Sequence, residues 1–294
     1  VVLILLPFLG QFVQVQQILN FLLAVSPKGI QFAGSTNSLL IPGARKDVIN
    51  IADFGCGSAH LTFALHWVLQ EMMGLNVRTY GVDLQQHLIN KHNNLARNLS
   101  WNLQFDDAPI IEWLPDDNYK TKLDVVVALH ACDVATDQAL LQALVRDSKI
   151  ILVAPCCHHH LNQQLHKQVR SLNAMKAKAG GTSYNKIKRL EAIGHRQTEN
   201  LALIKYDSIL KQQTADMLTD WFRAHILRAF GYKVEIVEFV QSKHTGKNLL
   251  IRAHKRPDGF VDPAIIEEYV LMKEKWAVTP HLETLLRKNN CWWE

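Results

Sequence analysis

The chain has 294 residues, 48% of them apolar, enough for one large domain with additions or for two small ones. Its net charge of +5 is a mild basic excess that neither demands nor excludes nucleic acid. The five cysteines make no extracellular framework, because Cys156 and Cys157 are adjacent, and a reduced, cytosolic setting is expected.

The apolar opening, Val1 to Gly10, is interrupted by Gln11, Gln14, Gln16, Gln17 and Asn20, so it is too short to span a bilayer. It also lacks the basic start and small-residue cleavage site of a signal peptide, and no membrane partner is expected. With no initiator Met, a missing upstream segment is compatible with the sequence. Val13 to Val25 is expected to form a helix on the core, inside an N-terminal helical segment over 1–47. From Val48 to Ala154, strand and helix patterns alternate, the signature of a parallel sheet with crossover helices. Strands are expected at Val48–Asp53, Val77–Asp83, Leu103–Asp106, Val125–Leu129 and Ile150–Ala154, with helices at Ala59–Met73, Gln85–Asn98 and Thr136–Val145. Residues Leu161 to Gln212 carry ten Lys/Arg against three acids, and read as a helix start followed by a mobile basic insertion at about 167–204. An amphipathic helix, Thr214 to Phe230, then precedes strands Lys233–Val240 and Asn248–His254, joined closely enough for an antiparallel hairpin. Asp262-Pro263 and Thr279-Pro280 each open a helix in a C-terminal extension over 256–294. The main domain is expected to run over 48–255.

The most informative stretch is Ile51 to Leu65. A buried strand ends at Asp53, Gly55 and Gly57 make a turn, and an apolar helix follows at once. Glycines let a ligand approach the backbone, and a helix N-terminus offers unpaired N–H groups. Asp83 ends the second strand, where a carboxylate can accept hydrogen bonds from both hydroxyls of a ribose. A dinucleotide fingerprint would need a third glycine where His60 stands, and Asp53 ahead of the glycines suits a cationic ligand better than a pyrophosphate. S-adenosylmethionine carries an ammonium and a sulfonium and no phosphate.

Ligands of parallel α/β sheets sit outside the carboxyl ends of the strands. The fourth strand delivers Leu129-His-Ala-Cys-Asp133 there, and the fifth delivers Pro155-Cys-Cys-His-His-His160. His130, Cys132, Cys156, Cys157, His158 and His159 are therefore expected to converge, with His244, Lys247 and Asn248 of the final hairpin at the same edge. D-x-G-x-G followed by an acidic second-strand end resembles class I S-adenosylmethionine-dependent methyltransferases. L-H-A-C-D-x-A-T-D (Leu129 to Asp137), P-C-C-x-H (Pro155 to His159), D-F-G-C-G-x-x-x-L-T-F-A-L (Asp53 to Leu65) and H-T-x-K-N-L-L-I-R (His244 to Arg252) resemble an uncharacterised bacterial family of that class. Related C-C-H-H and C-G-x-A-T-D elements occur in tRNA ribose 2′-O-methyltransferases acting on the acceptor stem. Three places depart from the family: Ser58-Ala59 replaces its Lys-Ser, Ala108-Pro109 replaces a Gly-Asp whose acid meets the adenine amine, and His244-Thr-Gly246 replaces the commoner His-Thr-Pro.

The resemblance implies a Rossmann-like α/β fold, a seven-stranded mostly parallel sheet with an antiparallel terminal hairpin, using S-adenosyl-L-methionine. Asp53, Gly55, Cys56 and Gly57 are then expected to hold its methionine part and Asp83 its ribose. Asp106 or Asp107 is expected at the adenine, and Leu84 and Leu129 complete the cofactor-binding candidates. His130, Cys132, Cys156, Cys157 and His158 are the catalytic candidates, and His159, His244, Lys247 and Asn248 the substrate-binding ones. The Cys/His set supports proton transfer, zinc binding, thiolate attack on a pyrimidine, or plain packing; adjacent cysteines chelate a metal poorly, and no metal is assigned. His66, His87 and His92 fall on helix surfaces by spacing and are expected to be solvated, while Trp67, Trp113 and Trp221 are expected in the core or a lid. The basic stretch and the resemblance together suggest RNA, tRNA first, as methyl acceptor. Protein or small-molecule methylation, and a non-catalytic cofactor-binding module, are the rival readings. The oligomeric state is left open.

Overall fold

The computed structural model describes Ile18 and residues 48–115, 121–129, 131–178, 204, 206–238 and 248–293. It divides into two compact units. The first, Val1–Cys156 with Tyr232–Pro257, contains the whole sheet. The second, Cys157–Gly231 with Asp258–Glu294, takes helices that the sequence reading shared between the main domain and the C-terminal extension.

In the first unit the strands are β1 Ile49–Phe54, β2 Val77–Asp83, β3 Leu103–Asp107, β4 Val125–Leu129, β5 Ile150–Ala154, β6 Tyr232–Glu238 and β7 Leu249–Lys255. They lie in the order β3-β2-β1-β4-β5-β7-β6, with β7 antiparallel to both its neighbours and every other pairing parallel. The expected seven-stranded sheet with its terminal hairpin is thus present. The central strands are Val- and Ile-rich without alternation, and β5 is buried at every residue, as a sheet covered on both faces requires. The crossover helices are α1 His60–Trp67, α2 Gln86–Asn98 and α3 Val134–Val145. α1 passes into a π-helical turn, Val68–Met72, in place of the single helix expected to Met73. Ile18 is a fully buried helical residue in the core cluster of Ile51, Leu65, Val127, Ile150 and Leu250; the rest of Val13 to Val25 lies outside the described residues.

Glycine at position 81 answers to a packing demand inside β2. A Cβ there would fall inside the van der Waals surface of the Phe105 ring, which is itself seated between Phe63, with ring centroids 5.3 Å apart, and His92, at 5.0 Å. At the edge strand β3, the Asn93 side chain replaces a neighbouring strand: its Oδ1 accepts from Phe105 N (2.9 Å) and its Nδ2 donates to Phe105 O (2.7 Å). That occupies backbone groups an open sheet edge would expose.

The second unit is helical among its described residues: α4 His159–Lys178, α5 Ser208–Ala229, α6 Pro263–Trp276 and α7 His281–Lys288. Asp207 caps α5 by accepting from Ile209 N and Leu210 N, and Asp262 caps α6 ahead of Pro263. Glu283 of α7 is buried and fully partnered, accepting from Tyr269 Oη (2.7 Å), Lys273 Nζ (2.7 Å) and Arg287 Nε (2.9 Å). Of the expected basic insertion, residues 179–203 lie outside the described residues.

Candidate active site

The site is built where β1, β2, β3 and β4 end. Past Phe54 the chain turns through Gly55 (φ +72°) and Gly57 (φ +49°), a conformation that L side chains rarely adopt. The turn is tied to the end of β2: Gly55 N (2.8 Å) and Cys56 N (3.2 Å) both donate to Val82 O, and Gly57 N donates to Asp83 Oδ2 (2.9 Å). Gln85 N donates to Asp83 Oδ1 (3.0 Å). Each carboxylate oxygen thus takes one backbone N–H and retains a second lone pair for a ligand hydroxyl. A Cβ on Gly57 would meet nothing within 4 Å, so the turn faces open space, whereas one on Gly55 would lie 3.6 Å from Ala131 Cβ.

Gly57 is also held from behind. His92 Nε2 lies 3.0 Å from Gly57 O, and because a carbonyl can only accept, this nitrogen carries the proton. The ring is buried, and burial pulls its pKa below the usual histidine value, so it is neutral near pH 7. This corrects the expectation of a solvated His92. His66 is likewise fully buried, its Nδ1 3.0 Å from Thr79 Oγ1; only His87 is exposed as expected. The signal was present in the spacing: Ile89, His92 and Ala96 form the buried stripe of α2, and Leu61, Thr62, Leu65 and His66 that of α1.

Asp53 is enclosed at the end of β1, where Thr62 Oγ1 donates to its Oδ2 (2.6 Å). Burial pushes its pKa up to about 7, against the Thr62 hydrogen bond and helped by the charge of Asp83. A cation bound close to this carboxyl would favour its ionised form. Cys56 sits in the turn with its thiol pKa raised by burial and by Asp53 and Asp83, so it stays a thiol. Of the two candidates for an adenine contact, Asp106 is engaged, accepting from Gln104 Nε2 (2.9 Å) and Trp113 Nε1 (2.8 Å). Asp107 is exposed at the end of β3, in register with Asp83. Leu84 is exposed beside Asp83, and Leu129 is half-buried at the end of β4.

After β4 the chain makes a tight turn into α3. Thr136 Oγ1 donates to Ala131 O and Ala135 N to Cys132 O (3.0 Å), which explains a threonine in the A-T-D element. Asp133, the residue ahead of α3, holds φ 50° and ψ −114°, a conformation that costs a non-glycine residue about 1–3 kcal/mol. Cys132 is exposed and its Sγ lies 3.2 Å from Cys156 Sγ, beyond the end of β5. Asn248 is buried; Ile251 pairs with Val153, so Asn248 lies beyond the carboxyl end of β5 as well. His130, His244 and Lys247 lie outside the described residues.

Cys157, half-buried, opens the second unit. His158, a catalytic candidate expected to face the methyl acceptor, has carboxylates at both ring nitrogens. It is buried within the second unit, with Nε2 donating to Asp220 Oδ1 (2.8 Å) and Nδ1 3.3 Å from Asp216 Oδ1. The reason lies in α5, where Asp216 and Asp220 are four residues apart and share a face. Burial alone would lower the His158 pKa, but its bonds to Asp216 and Asp220 leave it raised. His159 is exposed at the first residue of α4. Trp113 is buried in the core, edge-on to Phe54 and Tyr80, as one of its two expectations had it.

Several solved structures resemble the chain distantly. The CMeT domain of the citrinin polyketide synthase is 14% identical over 71% of this chain and 46% of its own, with a TM-score of 0.39. A SAM-dependent methyltransferase from Aquifex aeolicus is 19% identical over 36% of this chain and 55% of its own (TM-score 0.28). An rRNA methylase from Streptococcus thermophilus is 12% identical over 71% and 87% (TM-score 0.35). The chain spans about half the length of the first two, and likenesses this distant say nothing of substrate. Among curated proteins none is similar enough in sequence to match. The family profile described as "Methyltransferase domain" matches residues 14–164, from ahead of β1 into α4 and more than half of the 294 residues, and the chain belongs to that family.

Proposed function

We propose that this protein transfers the methyl group of S-adenosylmethionine to RNA, with tRNA the first acceptor to test. S-adenosylmethionine is the cofactor that goes with the family. The observation carrying the cofactor's placement is the doubly held Gly57, fixed through its N–H by Asp83 and through its carbonyl by His92, above open space. In this reading the free lone pairs of Asp83 accept the ribose hydroxyls, and Asp107 accepts from the adenine amine. The methionine part lies over Gly55 and Gly57, with Asp53 as its buried counter-charge. When bound, the sulfonium supplies an electrophilic methyl group. The chain's own part is to orient it, keep an anionic floor beneath it, and present Cys132 and Cys156 on the acceptor side as thiols that hydrogen-bond the incoming nucleophile.

RNA is supported by ten Lys/Arg against three acids over Leu161 to Gln212, a density suited to phosphate contact, and by the motifs shared with tRNA ribose methyltransferases. No helix among the described residues is long and apolar enough to cross a membrane. A cytoplasmic setting is part of the proposal. The test incubates the protein with methyl-labelled S-adenosylmethionine and, separately, bulk RNA, protein extract and small metabolites, followed by nuclease or protease and nucleoside mass spectrometry. Label released as a methylated nucleoside supports the proposal. Label retained in protein or metabolites assigns another acceptor, and tight cofactor binding without transfer indicates a binding module. Deleting Met175 to Arg196 should leave cofactor binding intact and reduce the log–log salt slope of RNA affinity, because fewer counterions are released.

A further inference from the structure

The two thiols at the carboxyl edge carry a further reading. We infer that Cys132 and Cys156 form an oxidative modification site, closing an intramolecular disulfide across the ends of β4 and β5. Leu129 and Ala154 are paired in register, so the two strands deliver Cys132 and Cys156 side by side a few residues later. Their sulfurs lie 3.2 Å apart, while a disulfide bond is about 2.05 Å long. Closure therefore needs a sulfur displacement of roughly 1.2 Å, within reach of side-chain rotation and slight loop movement. Cys132 is exposed, so an oxidant reaches it; Cys156 is half-buried beside it as the resolving thiol. Cys56, the other thiol near the turn, is kept protonated by burial and its two acidic neighbours, and takes no part.

The oxidant class is a hydroperoxide, hydrogen peroxide being the simplest. The Cys132 thiolate attacks a peroxide oxygen, the O–O bond breaks, and sulfenic acid and one water result. The Cys156 sulfur then displaces the sulfenic oxygen as a second water, forming the S–S bond. Overall, two thiols lose two protons and two electrons and one peroxide becomes two waters. Because Ala131, next to Cys132, stands where a Cβ on Gly55 would come within 3.6 Å of it, the bridge constrains a loop beside the glycine turn. Its effect on methyl transfer rests on the proposed function; bridge formation does not.

The whole protein is therefore treated with stepwise hydrogen peroxide, then digested without reductant and mapped by mass spectrometry. The expected result is a fall from five titratable thiols to three, a mass loss of about 2 Da and a Cys132–Cys156 cross-linked peptide, all reversed by dithiothreitol. Cys157→Ser and Cys291→Ser should still form the bridge, and Cys132→Ser and Cys156→Ser should not, with thermal unfolding confirming that each variant is folded. A bridge that uses Cys157 or Cys56, one that joins two chains, or progressive oxidation to sulfinic and sulfonic acid without a bridge would overturn the inference. The map of the parent protein decides even where a variant fails to fold.

Discussion

His92 is the residue whose functional role the structure changes most, and replacing it with Phe isolates that role. Phe keeps a ring against Phe63 and Phe105, whose centroids lie 5.9 and 5.0 Å from the His92 ring, and removes only the donor to Gly57 O. One neutral hydrogen bond contributes about 0.5–1.5 kcal/mol net, and Gly57, half-buried on an open face, can turn its carbonyl toward water. The turn should then sample conformations in which Gly57 N no longer points at Asp83, and the cofactor must restore the order on binding. At about 1.4 kcal/mol per tenfold, S-adenosylmethionine affinity should fall by roughly two- to twelvefold. Thermal stability should fall by only a few degrees, at about 2–4 °C per kcal/mol for a chain of this size. His92→Gln, which offers an amide N–H, should recover part of the affinity, while His92→Ala should lose additional stability to the cavity it leaves. Calorimetric titration with S-adenosylmethionine alongside thermal unfolding reads both quantities. Unchanged affinity in His92→Phe would refute the clamp, as would a Gln variant no better than Phe at equal stability.

Other outcomes follow from the same turn and from the two buried charge sites. Asp83→Ala removes the acceptor for two ribose hydroxyls and for Gly57 N; at about 1.5–3 kcal/mol for each bond to a charged group, cofactor affinity should fall at least about a hundredfold by calorimetry. Asp53 has its pKa raised to about 7 and is further ionised by a bound cation, so affinity should rise between about pH 6 and pH 8, by at most about tenfold per unit; Asp53→Asn should flatten the profile. Gly81→Ala should cost about 1–3 kcal/mol in a denaturant titration, since the new methyl overlaps the Phe105 ring, and a second change, Phe105→Leu, should return part of it. The folded-state pKa of His158 is raised, so its contribution to stability is complete below the unfolded value and is lost as pH rises through the folded one. The stability difference between the parent protein and His158→Asn should therefore be largest at acid pH and shrink as pH rises through the folded-state pKa, and a constant difference would mean that His158 contributes by packing alone.

The sheet was legible because parallel strands buried on both faces are written as unbroken Val/Ile runs, and because each is followed by a helix-forming pattern. β4 and β5 therefore match expectation residue for residue, and the boundaries that moved did so where hydrogen bonding decides them: β3 gains Asp107 by pairing with Asp83. The glycine turn was legible for a related reason, since two glycines at a strand end have few other uses. The choice between Asp106 and Asp107 was not, because it depends on where Trp113 Nε1 arrives from a separate segment seven residues on.

The histidines show where the local sequence misleads. Spacing puts His66 and His92 among expected solvated helix positions, yet both lie on the buried stripes of their helices. A polar group on the buried stripe of a helix needs a hydrogen-bond partner. For His92 that partner is Gly57 O, a backbone atom 35 residues away, which no side-chain pattern could announce. His158 makes the complementary point. Its chain neighbours, Cys156, Cys157 and His159, made it look like part of a reactive edge, whereas its environment is set by Asp216 and Asp220, some sixty residues on. A motif records which residues occur together along the chain. Whether each one meets a ligand or a buried carboxylate is decided by segments that the motif does not contain, and here that difference separates Cys132, exposed at the sheet edge, from His158, enclosed among acids.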